Sequence, residues 1–128
     1  MVKYRGILVI FYLIACVALG AIADATAHMN YTRWGVYTDL AEKLLIFSGP
    51  FLAGLSRRQW LAYTITYTCM NIAFFDLIYN QVHSLPWDYV GSVKDWDIIL
   101  SKFPTHGIMF TRFIFLVLGV SISTRYLR

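Results

Sequence analysis

Residues 6–23, GILVIFYLIACVALGAIA, form an uninterrupted apolar run that contains no charged side chain. A transmembrane helix needs about 20 predominantly apolar residues, because each residue adds ~1.5 Å of rise across a hydrocarbon core of about 30 Å. Lys3 and Arg5 precede the run and Asp24 follows it, so charges mark both of its ends. The run therefore predicts a helix that crosses a membrane.

The same stretch also has the three parts of a secretory signal peptide. They are a basic N-terminus, an apolar centre and a small triplet, Ala21-Ile22-Ala23, at which cleavage would occur. A cleaved segment would leave a protein with three spans, whereas a retained segment gives four. We expect it to be retained as the first helix of the bundle.

Three further apolar segments approach the length of a span: residues 40–55, 59–79 and 105–124. The first of these is the weakest, since Glu42 and Lys43 lie near its start and Gly49-Pro50 lies in its middle, where proline predicts a kink. We therefore predict an all-α fold in which residues 1–128 form one domain, an integral membrane bundle of about four transmembrane helices.

The composition supports this class. Apolar residues make up 59% of the chain and charged residues 14%, whereas soluble domains average roughly 45–50% and ~25%. A soluble fold this small could not hide so much apolar surface. The net charge of +4 comes without a basic patch or a glycine-rich phosphate loop, so we expect no nucleic acid partner. Cys16 and Cys69 lie in apolar runs and are interpreted as packing residues.

The distribution of Lys and Arg predicts the orientation, because cytoplasmic loops of membrane proteins carry an excess of these residues. With both termini in the cytoplasm, that side holds six of them: Lys3, Arg5, Arg57, Arg58, Arg125 and Arg128. The outer loops hold three: Arg33, Lys94 and Lys102. Trp60 falls on the inner side and the other three tryptophans fall in or beside the outer loops, where aromatic belts form.

The outer loop, residues 80–104, contains a pattern typical of a short amphipathic helix over residues 92–103. Ser92 followed by Asp95 resembles a helix-capping box. Apolar side chains then share one helical face: Val93, Trp96, Ile99, Leu100 and Phe103. We predict that this helix lies in the membrane interface. The alternative is a helix that caps the bundle against other parts of the protein.

The ionisable residues are unevenly placed. All seven acidic residues and all three histidines fall in the outer half of this topology. Ionisable groups in hydrocarbon are costly and usually face a partner inside a bundle. The candidate polar cluster consists of the residues that could meet there: Asp24, His28, Glu42, Asp76, His83 and Arg112.

Arg112 is expected to pair with an acidic residue of another helix, with Asp76 as the first choice and Glu42 as the second. Alternatively, it extends to the outer headgroups, or it holds a phosphate or carboxylate in a pocket open to the outside. Asp39 and Glu42 also fit a helix N-cap arrangement, which would give them a structural role.

Asp24 and His28 on one helix, with Asp76 and His83 on another, would offer oxygen and imidazole ligands to zinc or another divalent ion. The alternative is a wet, charged rim where helices end. Because the sequence contains no metal-binding motif, we expect the wet, charged rim and no cofactor. The sequence does not identify a catalytic residue.

Two stretches carry a resemblance, namely FDLIYN at residues 75–80 and LPWDYVG at residues 85–91, together with AIAD at residues 21–24. With these motifs the chain resembles a loose group of small multi-span membrane proteins of bacteria and their phages that have no assigned activity. The resemblance implies a bacterial-type inner or plasma membrane, and it implies no chemistry.

The function expected from these observations is that of a small membrane accessory or structural subunit that acts through helix–helix contacts. Its partners would be the lipid bilayer and either further copies of itself or a larger membrane complex. Two alternatives stay open. One is a membrane-embedded enzyme or lipid-headgroup-binding protein that uses the outer polar cluster. The other is a transport or channel component working as an oligomer.

Overall fold

The computed structural model describes residues 4–28, 32–90, 98–99 and 101–127, with the backbone alone at positions 28, 32 and 34. Over these ranges the chain is all-α and has no strands. Four long helices account for most of it: α1 (Arg5–His28), α2 (Thr32–Leu52), α3 (Arg57–Val82) and α4 (Thr105–Tyr126). The predicted all-α class is confirmed.

In the part of the chain that the structure describes, three helices are long and apolar enough to cross a membrane: Arg5–Ala27, Arg57–Val82 and Thr105–Tyr126. α1 is the most apolar, with a mean hydropathy of 2.7 over its best window. α2 has the length, at 21 residues, but Asp39, Glu42 and Lys43 all lie near its middle. Among the four helices, α2 therefore has the composition that is least typical of a membrane span.

The helix bounds differ from the prediction most clearly in α2. The helix begins at Thr32 rather than at residue 40, so the N-cap role predicted for Asp39 is wrong: Asp39 lies inside the helix. Pro50 lies in the last turn instead of the middle. The missing N–H of Pro50 leaves the Ile46 carbonyl without its helical donor, and the Tyr63 hydroxyl donates to that carbonyl instead at 3.0 Å.

The end of α2 is closed by a glycine in the left-handed conformation. Gly54 has φ +57°. The Leu55 N–H donates to the Pro50 carbonyl at 2.8 Å, and the Gly54 N–H donates to the Phe51 carbonyl at 3.0 Å. This pair of bonds is the Schellman arrangement, which satisfies the last carbonyls of a helix and reverses the chain. It sets α3 antiparallel to α2.

The start of α3 is capped by Ser56 and Gln59. The Ser56 backbone N–H donates to Gln59 Oε1 at 3.1 Å, which is the reciprocal half of a capping box. The other end of α3 continues past Tyr79 to Val82, with His83 as C-cap. The interfacial helix predicted over residues 92–103 falls mostly outside the described residues, so that prediction is untested.

α1 lies at the centre of the bundle. It packs against all three other helices, α3 also packs against α4, and α2 has few helix contacts apart from those with α1. Large side chains of α1, including Leu13 and Val17, are fully buried. Because α1 contacts three helices, it needs apolar residues around most of its circumference, although Leu8 and Phe11 remain exposed.

Small residues allow the close packing. At Gly6 an added Cβ would lie 2.6 Å from the Ser123 carbonyl oxygen, so the two backbones of α1 and α4 are in direct contact. The Ser123 hydroxyl donates to the Gly6 carbonyl at 2.8 Å across the same contact. Small residues and serine hydroxyls of this kind are characteristic of interfaces between membrane helices.

Candidate functional site

The residues of the predicted polar cluster divide between two places in the bundle. Asp76 and Arg112 meet where α3 and α4 pack together. Glu42 lies apart from them, between α1, α2 and α3, and its hydrogen bond is with Tyr67. The structure therefore pairs Arg112 with the first of its two expected partners and not with the second.

The first place is an arginine clamp formed by Asp76, Trp87 and Arg112. Arg112 Nη2 donates to Asp76 Oδ2 at 3.3 Å, and Nη1 donates to the Trp87 backbone carbonyl at 3.0 Å. The Arg112 side chain is 3% exposed and that of Asp76 22% exposed. One guanidinium thus joins α4 to α3 and to the segment that follows α3.

Neighbouring contacts fix the same segment. Asn80 Nδ2 donates to the Tyr89 carbonyl at 2.8 Å, and the Thr105 hydroxyl donates to Asp88 Oδ2 at 2.9 Å. Arg112 Nε is buried and has no hydrogen-bond partner among the described residues. Because the guanidinium is enclosed and its Nη atoms donate within the chain, a headgroup phosphate has no direct access to it. The clamp has the features of a structural ion pair.

The second place is the Glu42 cluster, formed by Gly20, Glu42, Tyr67 and Asn71. Glu42 is 8% exposed although it belongs to α2, the helix with the fewest neighbours. The Tyr67 hydroxyl donates to Glu42 Oε1 at 3.1 Å, and Asn71 Nδ2 donates to the Tyr67 oxygen at 3.5 Å. No described Lys, Arg or His forms an ion pair with Glu42, because its neighbour Lys43 binds Asp39 on the outer side of α2.

Gly20 shapes the space for the carboxyl group. A Cβ built at Gly20 would lie 2.5 Å from Glu42 Oε1 and 2.6 Å from its carboxyl carbon. The carboxyl group therefore occupies the volume that any other residue of α1 would fill at this position. The absence of a side chain at Gly20 therefore allows the Glu42 carboxyl group to lie inside the bundle against α1.

A cavity lies further along the same gap between α1, α2 and α3. It has a volume of about 290 Å³ and extends from Arg5 to Tyr12, Gly49 and Tyr63. The Tyr63 hydroxyl donates to the Ile46 carbonyl at 3.0 Å, and the Tyr12 hydroxyl donates to the Leu45 carbonyl at 2.5 Å. Tyr63 lies one turn before Tyr67 on α3, so the cavity ends close to the Glu42 cluster.

The remaining members of the predicted cluster are not brought into a metal site. His83 is the C-cap of α3, and its ring contacts that of Tyr79 in a tilted arrangement, with centroids 4.7 Å apart. Asp24 is half-buried on α1, and the side chain of His28 lies outside the described residues. Over the described ranges, no three His, Cys, Asp or Glu side chains are grouped as metal ligands. The alternative of a four-ligand metal site, which includes His28, is therefore untested.

The sequence did not reveal the partners of Glu42. Tyr67 is one of many aromatic residues in the apolar segments. Gly20 lies in a segment that is rich in small residues. A usable signal exists in the spacing, since Tyr63 and Tyr67 lie four residues apart and therefore share a helix face. Two tyrosines on one buried face indicate hydroxyl groups that need acceptors inside the bundle.

Comparison with known proteins adds no assignment to this geometry: no family model, no curated protein and no solved structure matches the chain. The resemblance to small bacterial and phage membrane proteins therefore stays an expectation from sequence. Over the described residues, fold and composition define an all-α protein with three helices long and apolar enough to cross a membrane.

Proposed function

We propose that this chain is a four-span integral membrane protein with both termini in the cytoplasm, and that it acts as a small accessory subunit. Its partner is another membrane helix, bound by the outward face of α2. The observation that carries the proposal is the Asp39–Lys43 ion pair, which lies on the exposed side of α2 beside a row of large apolar side chains.

The outward face of α2 is lined by large side chains at alternating spacings of four and three residues. Each of them is more than half exposed: Tyr37, Leu40, Leu44, Phe47 and Phe51. Apolar residues that repeat in this way form the seam between two supercoiled helices. We call this set the α2 seam. α2 also contacts little besides α1, so its outer side is open to a partner.

Lipid alone covers such a face poorly. The Lys43 and Asp39 side chains are 62% and 43% exposed, with Nζ and Oδ2 2.5 Å apart. A charged group near the bilayer centre costs about 2.5–3.5 kcal/mol on insertion scales, and pairing recovers part of that cost. The outward face of α4 gives the contrast, since Phe110, Phe113 and Val117 are exposed there without a charge beside them. The outward face of α4 is therefore suited to contact lipid, and the outward face of α2 is suited to contact another protein helix.

The four-span placement follows from the same helix. Glu42 is turned inward, and Asp39 is neutralised by Lys43. The charges that weaken α2 as a span are therefore either buried or paired. The excess of Lys and Arg on the side of both termini, six against three, supports the orientation. The short turn from Leu52 to Arg57 supports it as well, because it returns the chain at once into α3.

A photoreactive phenylalanine analogue tests the partner. Placed at Phe47, in the α2 seam, benzoylphenylalanine should form protein adducts in native membranes. Placed at Phe113 on α4, which is similarly exposed at 62% against 76%, it should react with lipid. The mass of the Phe47 adduct separates a second copy of the chain from a different membrane protein. Lipid adducts alone at Phe47, or equal protein adducts at both sites, would contradict the proposal.

Neither alternative function has an observation in its favour. An enzyme or headgroup-binding protein would need the clamp to be accessible, and Arg112 is 3% exposed. A transport role would need polar side chains along the depth of the bundle. Ser123 and Thr66, although buried, donate to the Gly6 and Ala62 carbonyls instead of facing an open path.

A further inference from the structure

We propose that Glu42 is a proton-binding site inside the membrane, reached through the cavity between α1, α2 and α3. The inference rests on the proposed placement of α2 within the bilayer and goes beyond the helix-contact function. It assigns chemistry to the one buried carboxyl group of the described bundle that has no cation beside it. The ligand is the proton itself.

Position and surroundings carry the argument. Glu42 lies halfway along α2, and Tyr67 lies near the middle of α3, so the carboxyl group is far from either end of the bundle. Burying an ionised carboxylate costs many kcal/mol unless a cation or several donors compensate it. Here one tyrosine hydroxyl donates to Oε1, and no described residue donates to Oε2. A bound proton on Oε2 supplies what the surroundings lack.

The titratable and charged groups that face Glu42 do not supply a counter-charge at contact distance. On α2 these are Asp39 and Lys43, which bind each other. On α1 they are Asp24 and the buried thiol of Cys16, and on α3 the hydroxyl of Tyr67. Four of the five are acids or weak acids that are either negative or neutral, never positive, and the fifth, Lys43, binds Asp39. The proton is therefore the cation that this site can hold.

Access follows from the cavity. Its volume of about 290 Å³ extends from the Arg5 end of the bundle to Tyr12 and Tyr63. On α1, Tyr12 lies one turn before Cys16, and on α3, Tyr63 lies one turn before Tyr67. Both hydroxyls lie in the gap that leads to the carboxyl group. The cavity therefore ends one helical turn from Glu42, on the side of the bundle where Arg5 lies.

A hydrophobic carbodiimide tests the site, because it partitions into bilayers and reacts with protonated carboxyl groups. With dicyclohexylcarbodiimide, the carboxyl proton moves to one nitrogen and the carboxyl oxygen bonds to the central carbon. The acyl group then migrates to nitrogen and gives a stable N-acylurea. No atom leaves, so the peptide gains the mass of one reagent molecule. The full-length chain in lipid vesicles should carry this adduct at Glu42.

The adduct should depend on pH and on residue 42. Once the carboxyl group begins to ionise, each further unit of pH lowers the protonated fraction about tenfold, and labelling should fall with it. Glu42→Gln, which keeps the shape and can still accept from Tyr67, should lose the label. Asp39→Asn, the matched control on the outward face, should keep it. An unlabelled Glu42 throughout a pH series that spans neutrality, or labelling that ignores pH, would overturn the proposal.

A water-soluble carbodiimide with glycine methyl ester separates the two ways in which the inference can fail. It attaches the amine to carboxyl groups in contact with water. If it modifies Glu42 as readily as Asp88 of the outer segment, α2 lies in water, and the membrane placement fails together with the proton site. If neither reagent modifies Glu42 while Asp88 reacts, the placement stands and the proton site alone is overturned.

Discussion

Arg112 links α4 to α3 and to the segment that follows α3 in the outer part of the bundle. Its guanidinium is enclosed, and it joins Asp76 of α3 to the Trp87 carbonyl. Breaking a buried pair by removing one partner leaves a charge without compensation, whereas removing both partners does not. The stability of single and double variants should therefore not be additive.

We expect Asp76→Asn and Arg112→Gln each to lower the free energy of unfolding in detergent by about 1–3 kcal/mol. The double variant should lose less than the sum, with a coupling of about 0.5–3 kcal/mol. Asp39→Asn combined with Arg112→Gln is the control and should be additive, because Asp39 binds Lys43 on another helix. Additive losses for Asp76 and Arg112 would mean that their contact contributes no energy.

The sequence predicted the Asp76–Arg112 pair, but neither the Trp87 contact of the clamp nor the Glu42 cluster. Two ionisable residues of opposite charge at similar depth on antiparallel neighbours could be paired without coordinates. The Tyr67–Glu42 bond could not, because it depends on how α2 is rotated about its axis. Asp39, Glu42 and Lys43 lie within five positions, and the apolar pattern does not determine which of them turns inward.

The helices and turns raise a different question, namely what ends each one. The turn after α2 depends on Gly54, whose φ of +57° is unfavourable for any residue with a Cβ. A Cβ built there meets nothing within 4 Å, so strain and not collision would be the cost of a substitution.

Gly54→Ala should lower the unfolding free energy by about 1 kcal/mol. The left-handed conformation costs about 1–2 kcal/mol, and the lower entropy of the unfolded chain returns part of it. Gly54→Asn is the matched control and should cost less, since asparagine tolerates this conformation at helix ends. Equal losses for alanine and asparagine would indicate that the side chain collides with something and that strain is not the cause.

The contact between α1 and α2 gives a second prediction for the helices. Gly20→Ala places a Cβ 2.5 Å from Glu42 Oε1, and such overpacking costs about 1–3 kcal/mol. The better helix propensity of alanine offsets about 0.5–1 kcal/mol of it. Unfolding free energies should show a net loss for Gly20→Ala that is reduced when Glu42→Ala is present as well. A loss that is unchanged in the Glu42→Ala background would place the collision elsewhere.

The existence of four helices could be predicted from apolar runs, but their ends could not. α2 extends back to Thr32 across Arg33 and Asp39, residues whose charges were interpreted as marking a loop and a cap. Helix formation tolerates charged side chains on an exposed face, so a hydropathy pattern underestimates the length of a helix that carries them. The apolar pattern therefore predicts that a segment is a helix, but it does not predict where the helix begins.

In the whole molecule, a central α1 holds three helices that contact one another unequally. α3 and α4 pack together, whereas α2 depends on α1 and on the hydroxyls of Tyr12, Tyr63 and Tyr67. α2 therefore attaches to the bundle mainly through its interface with α1. The same helix carries the buried carboxyl group and the α2 seam, so protonation and partner binding would act on one element.

The proposed function of α2 requires that this helix cross the bilayer. Labels placed near the helix ends test that topology. In a background without Cys16 and Cys69, single cysteines at Arg33, Ser56 and Ser101 report the two ends of α2 and the segment before α4. All three positions are exposed. A membrane-impermeant maleimide added to intact cells should label the cysteines at 33 and 101 and leave the one at 56 unlabelled until the cells are opened. If positions 33 and 56 react from the same side, α2 does not cross the bilayer. The α2 seam would then face water or the membrane surface, and the proposed helix partner would be excluded.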